Sequence, residues 1–179
     1  MAPPPRHLQE LLPDPAALSL GSVQCNEDRV SIRVCTRSLS ARCPVCGRRS
    51  RSVHSHYLRR LRDLPWHGAR VEVRIQTRRF RCRSPDCRRK IFAERIPTVV
   101  LAHGQQTVRL SETVRLIGYM LGGNSGERLS ERLGIQTSAD AILRSLRAQS
   151  EVATAPVRIL GVDDWAWRRG QDTGRCWSI

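Results

Sequence analysis

Four cysteines constrain this chain more than any other feature. They fall in two pairs, Cys43-Pro44-Val45-Cys46-Gly47 and Cys82-Arg83-Ser84-Pro85-Asp86-Cys87, which read C-x2-C and C-x4-C with 35 residues between them. Each pair can form a tight turn whose two thiolates point at one cation, and two such turns build the tetrahedral S4 site that zinc prefers. Iron fits the same ligands chemically, but nothing redox-like surrounds them. Pro44 and Gly47 suit the first turn, and Ser84-Pro85-Asp86 suits the second. The expected cofactor is therefore a structural zinc held by Cys43, Cys46, Cys82 and Cys87. The chain has seven cysteines in all, an odd count with no export signal, which argues against a disulfide framework.

Composition explains why a metal is needed. Of 179 residues, 40% are hydrophobic and only 4% aromatic, too little for one well-filled core. Small α+β modules are expected, at least one of them held by something other than apolar burial. Between the cysteine pairs, Tyr57–Arg62 reads as a strand, Leu64-Pro65-Trp66-His67-Gly68 as a turn, and Val71–Gln76 alternates apolar and polar as a half-buried strand does. Lys90–Ile96 closes the unit. This is the outline of a zinc ribbon over residues 41–97, in which the metal replaces a core. Residues 1–40 carry a β-hairpin, Gly21–Cys25 and Arg29–Thr36 around Asn26-Glu27-Asp28, with Cys25 and Cys35 expected as small core residues. His54 and His56 lie two apart on one strand face. They read either as substitute ligands or, as expected here, as strand histidines beside a phosphate-facing surface.

The formal net charge is +15, and it is unevenly placed. Residues 41–95 hold 17 basic and 4 acidic side chains, whereas residues 1–40 are balanced. Such clustering is the footprint of a polyanion-binding surface. Arginines flank the cysteine knuckle at 48, 49, 51, 59, 60 and 62, then at 78, 79, 81, 83, 88 and 89. Of these, Arg48, Arg49, Arg51, Arg59, Arg60, Arg78, Arg79 and Arg81 are the expected DNA contacts. Strand neighbours such as Arg78 and Arg79 face opposite ways, so phosphate contacts are expected and base readout is not derivable. No run of 18 apolar residues exists, and the start MAPPPRHLQE lacks the order of a secretion signal. The expected setting is the cytosol, with no membrane partner.

After Pro97 the pattern becomes helical. Leu110, Val114, Ile117 and Leu121 share one face of a helix ending at Gly122-Gly123. Asn124 and Glu127 resemble a capping box opening a second helix, which stops at Gly134. Thr137 or Ser138 can cap a third helix that turns Ile142, Leu143 and Leu146 inward and Arg144 and Arg147 outward. Helix, glycine-containing turn, helix is the arrangement that offers its last helix to the major groove, so residues 98–155 are expected to be a helix-turn-helix domain with Arg144 and Arg147 on DNA. Asp140, where an apolar residue is usual, fits this least well.

Pro156 ends the helices, and Val157–Trp167 is a short apolar strand delivering Asp163 and Asp164 at its end. With this the order of parts resembles the N-terminal portion of DDE transposases of the ISL-three insertion-sequence family. The resemblance rests on Cys43–Gly47, Leu61-Arg-Asp-Leu-Pro-Trp66, Arg79-Phe-Arg-Cys82 with Cys87, Phe92-Ala-Glu-Arg95 and Leu160–Gly170. It implies a zinc finger, a helix-turn-helix domain binding the element's terminal inverted repeats, and an RNase H-like catalytic domain. By it, Asp163 is the candidate first carboxylate of the catalytic triad, with Asp164 second choice, and magnesium or manganese belongs only to a complete catalytic domain. Such transposases continue well past this strand. Residues 156–179 are therefore expected to be the truncated start of that domain, inactive alone, in a nucleoid-associated bacterial protein. A shifted frame from Gln171 can be written that restores an apolar strand, so Cys176 and its neighbours are expected to be out of frame. The implied partners are double-stranded DNA at transposon ends, a second copy of the chain or a full-length transposase. The rival readings are a stand-alone DNA-binding regulator or transposition inhibitor, and an RNA-binding zinc ribbon.

Overall fold

In the computed structural model, which describes residues 6–148, 164–166 and 173–175, alternation in the sequence becomes a sheet with one dry face. A short helix α1 (Arg6–Glu10) leads into β1 (Leu18–Asn26) and β2 (Arg29–Thr36). The short β3 (Ala41–Arg42) and β4 (Arg49–Ser50) frame the first cysteine pair. Two long strands follow, β5 (Val53–Trp66) and β6 (Ala69–Arg81), and then the short β7 (Ile91–Ala93). The main sheet has the order β1-β2-β6-β5, with β7 added to the end of β6. Its pairs are antiparallel except β2–β6, which run parallel.

The residues of one parity are buried: Val30, Ile32 and Val34 on β2, Val71, Val73 and Ile75 on β6, and Leu61 on β5. Leu18 and Leu20 of β1 join them, and Leu12, Val99 and Val100 complete the cluster. At roughly 1.5–3 kcal/mol per buried aliphatic side chain, this cluster is an ordinary apolar core, and none of the four paired cysteines belongs to it. Gln9 fastens α1 to β1, its Nε2 donating to the Leu18 carbonyl at 2.6 Å and its Oε1 accepting from the Leu20 N–H at 2.9 Å.

The β5–β6 connection is shorter than the five-residue turn read from the sequence. It consists of His67 and Gly68 alone, both at positive φ (47° and 81°), as tight two-residue hairpins require. Leu64, Pro65 and Trp66 remain in β5, and the pairing slips between Asp63 and Trp66, where Pro65 has no N–H to give the ladder.

The helical part is α2 (Val108–Arg132) and α3 (Ala139–Arg147). Thr107 caps α2, its hydroxyl accepting from the Leu110 N–H at 3.3 Å. α2 bends at Gly122, whose φ of 70° no ordinary residue adopts cheaply. The second helical stretch is thus entered through the bend and not through a cap at Asn124. Leu110, Val114 and Ile117 are buried with Ile135 and Ile142, but Leu121, expected inward, is 44% exposed at the end of the regular stretch before the bend. At Gly118 the helices approach so closely that a Cβ would stand 2.6 Å from Ile142 Cγ2. Ser138, rather than Thr137, caps α3, accepting from the Ala141 N–H at 3.3 Å.

The helices are stitched to β5. The Arg62 N–H donates to the Gln105 carbonyl at 3.0 Å, and the Thr107 N–H donates to the Arg62 carbonyl at 2.9 Å. Asp63, whose side chain is fully buried, accepts from Thr107 Oγ1 at 2.7 Å and takes a bidentate ion pair from Arg109. Residues 1–148 accordingly form one compact unit. The boundaries expected at 40/41 and 97/98 fall inside it, because the hairpin shares a sheet with the ribbon strands. In a second unit, 149–179, β8 (Asp164–Ala166) pairs antiparallel with β9 (Thr173–Arg175).

Candidate metal centre and nucleic-acid interface

The C-x2-C turn is a backbone loop closed twice. The Cys43 N–H donates to the Arg48 carbonyl at 2.9 Å, and the Gly47 N–H returns to the Cys43 carbonyl at 2.9 Å. The second pair is set by the Cys82 N–H on the Lys90 carbonyl at 2.8 Å and the Cys87 N–H on the Ser84 carbonyl at 3.3 Å. These loops bring the four Sγ atoms within 4.8 Å of one another. Cys43 and Cys87 stand 3.8 Å apart, and Cys46 and Cys82 stand 3.6 Å apart. A tetrahedron of sulfurs about 2.3 Å from a zinc ion has edges of about 3.8 Å, so the donor set and its spacing fit zinc. Cys43, Cys82 and Cys87 are buried together with Phe80 and Phe92, whose stacked rings lie 6.0 Å apart, whereas Cys46 is exposed.

The crowding of the sulfurs moves two of the thiols in opposite directions. The Cys43 thiol is lowered to about 6, chiefly by the Cys46 N–H, against burial, with help from the Val45 N–H and the Cys46 and Cys82 thiols. Cys82 receives an N–H from Ser84, yet burial and the crowding thiols of Cys46, Cys87 and Cys43 push it up to about 11. Four thiolates at this distance repel one another, and a divalent ion removes that cost.

The other sequence-predicted residues divide. His54 and His56 are exposed and outside the sulfur cluster. Cys25 and Cys35, expected in the core, are exposed. Cys35 lies on the parity opposite Val34 and donates its thiol to Gln76 Oε1 at 3.7 Å, and Cys25 follows a register shift in β1 that undoes the alternation. Arg48, Arg49, Arg51, Arg60, Arg79 and Arg81 are exposed, with Arg79 lying 4.9 Å over the Tyr57 ring. Arg144 and Arg147 point outward from α3, as does Asp140.

Two arginines expected on phosphate are occupied internally. Arg78 pairs with the buried Glu94 at 2.8 Å and also donates to Thr36 Oγ1 at 2.8 Å and to the Ser38 carbonyl. Arg59 Nη2 donates to the carbonyls of Gly104 at 2.6 Å and Leu101 at 3.3 Å. A buried carboxylate and two loop carbonyls claim them first. Sequence reasoning missed Arg29, Arg33, Arg70 and Arg74, which share the solvent face of the sheet with Arg60 and Arg62. Their signal was parity, each lying out of phase with the buried Val30-Ile32-Val34 and Val71-Val73-Ile75. Asp163 lies outside the described residues. Asp164 begins β8, whose described pairing is with β9 alone.

The class is now defined: a small α+β chain with a four-cysteine ribbon capable of holding structural zinc, followed by helices of helix-turn-helix-like arrangement. Residues 40–87, spanning both cysteine pairs, match the family model described as the zinc-finger of transposase IS204/IS1001/IS1096/IS1165, the ISL-three zinc ribbon. No curated protein and no solved structure matches significantly. Among the described residues no helix is long and apolar enough to cross a membrane.

Proposed function

We propose that this chain is the DNA-recognition part of an ISL-three-type transposase, binding duplex DNA at the element's terminal inverted repeats. The observation that carries the reading is the match of residues 40–87 to a transposase zinc finger, with its four sulfurs gathered at tetrahedral spacing. Zinc bound by Cys43, Cys46, Cys82 and Cys87 cross-links the knuckle. The exposed Arg48, Arg49, Arg51 and Arg81 around it meet phosphates, which position the protein without reading sequence. α3 enters the major groove with Arg144 and Arg147 outward, while Ile142 anchors it to α2. Asp163, with Asp164 second, is the candidate first carboxylate of a catalytic triad, and a divalent magnesium or manganese ion belongs to a complete site of that kind.

The test is selection from a random-sequence duplex pool by the zinc-loaded chain. An enriched motif present as inverted copies at both ends of the DNA element carrying the gene is the expected result. Absence of enrichment, or tighter binding to single-stranded RNA than to duplex, overturns the reading, because a recognition helix needs a B-form major groove.

A further inference from the structure

The solvent face of the sheet gathers more charge in register than the knuckle does. Arg29 on β2 stands beside Arg70 on β6. Arg33, Arg74 and Arg60 stand side by side on β2, β6 and β5, and Arg62 faces Glu72. Adjacent strands are about 4.8 Å apart and two-residue steps about 6.8 Å, so these guanidiniums share one small area. Glu72, paired to Arg74, is the acid within these rows. Glu27 and Asp28 sit in the hairpin turn at the edge, and Glu127 and Glu131 line a neighbouring cleft with Arg70. Like charges directly opposite one another destabilise a sheet; Glu72 compensates Arg74 alone, so the row Arg33-Arg74-Arg60 keeps a net repulsion from Arg33 and Arg60. An external polyanion would offset its repulsion.

A second observation places that polyanion relative to α3. Arg29, Arg60, Arg62 and Arg70 converge on a cleft of ≈ 430 Å³ between the sheet face and the loops before α2 and α3, which contribute Gln105 and Gln136. Arg62 Nη1 donates to the Gln136 carbonyl at 2.6 Å, and Gln136 lies two residues before the Ser138 cap of α3. The Asp63–Arg109 pair and the Arg62 backbone bonds fix this spacing.

We infer that the solvent face of β2, β6 and β5 is a second nucleic-acid surface, gripping the phosphate backbone of the same duplex whose major groove α3 enters, with the cleft taking phosphates beside the groove. The inference rests on the duplex-binding reading above. It makes the footprint longer than α3 alone can give and assigns the added length to affinity rather than to sequence discrimination.

The experiment compares the full zinc-loaded chain with the paired variants Arg33→Gln/Arg60→Gln, Arg33→Lys/Arg60→Lys and Arg144→Gln/Arg147→Gln. Affinity is read by fluorescence anisotropy against salt, on the selected duplex and on a random-sequence duplex, with melting curves to establish folding. Losing two phosphate contacts should reduce the slope of log K against log salt by about 1.8 and weaken binding roughly 30-fold at about 0.15 M salt. The glutamine sheet pair should do this equally on both duplexes, and the lysine pair should restore the slope. The α3 pair should instead narrow the gap between the two duplexes. If the sheet pair leaves slope and affinity unchanged while the α3 pair weakens binding, the second surface is overturned and the duplex reading stands. If the unaltered chain binds neither duplex, both fall.

Discussion

The cysteine knuckle and the sheet-plus-helix body solve the same problem by different means. The knuckle buries five side chains, three of them cysteines. The sheet buries twelve apolar residues from four strands and the segments covering them, and the helices add five more. An interior of two phenylalanines and sulfur cannot offset the chain entropy of the loops at 41–52 and 82–93 without a metal, whereas the body has ordinary apolar burial to do so. The two share β6, which runs from the sheet core at Val71 to the stacked Phe80 beneath the metal site. Stability should therefore be unequal along one strand.

Zinc removal is the strongest way to test this contrast. Structural zinc sites contribute roughly 10–16 kcal/mol of apparent binding free energy near neutral pH. A chelator, or Cys43→Ser, should abolish protection from hydrogen exchange around the knuckle, while the amides of Val30–Val34 and Val71–Ile75 stay protected. Loss of protection throughout the sheet would mean that the metal holds the whole unit, and the contrast would be gone.

Asp63 tests the body from inside. Its carboxylate, fully buried, holds both Arg109 and the Thr107 that caps α2. Breaking a buried pair by removing one partner costs about 3–5 kcal/mol, and because Arg109 is partly exposed the low end applies. Asp63→Ala should lower unfolding free energy in urea by about 3 kcal/mol and leave zinc stoichiometry at one per chain. Zinc loss in that variant would show knuckle and body to be one cooperative unit.

What was legible in the sequence follows the same division. The knuckle could be read because zinc chemistry dictates both residue type and spacing, so Cys43, Cys46, Cys82 and Cys87 identify themselves. Val71–Gln76 could be read because burial on one face imposes a period of two. That pattern says which residues face inward but not which strand lies alongside, and the parallel β2–β6 pairing was therefore not visible. Arg78 reads as a phosphate ligand because its partner Glu94 lies 16 residues away and only β7 returns it. Leu121 fits the helical period, yet the regular helix ends at Gly122 and Leu121 stays exposed there. The row Arg33-Arg74-Arg60 needed the register, which no single strand carries.

A change confined to the helices should leave both the metal and the sheet undisturbed. Gly118→Ala places a Cβ against Ile142 Cγ2 and Leu146, where α3 lies closest to α2. Overpacking of this kind costs about 1–3 kcal/mol. The gain in helix propensity from glycine to alanine, roughly 1 kcal/mol, partly offsets it. The net expectation is a loss of about 1 kcal/mol or somewhat more, seen as a lower denaturation midpoint with unchanged zinc content. A stabilised variant would mean that α3 shifts outward without penalty and is not held by the Gly118 contact.

The smallest effect should come from the cap of α3. Ser138 Oγ accepts from the Ala141 N–H at 3.3 Å on an exposed helix end. Replacing an N-cap serine by alanine costs about 1 kcal/mol, and less where water can take over the freed N–H. Ser138→Ala should therefore reduce global stability by under about 1 kcal/mol, and its main effect should be local. α3 has nine residues and one fully buried side chain, Ile142, so its amides should exchange faster while those of Val114 and Ile117 in α2 do not change. If α2 loosens equally, the two helices open together, and the body itself divides at the sheet and not at α3.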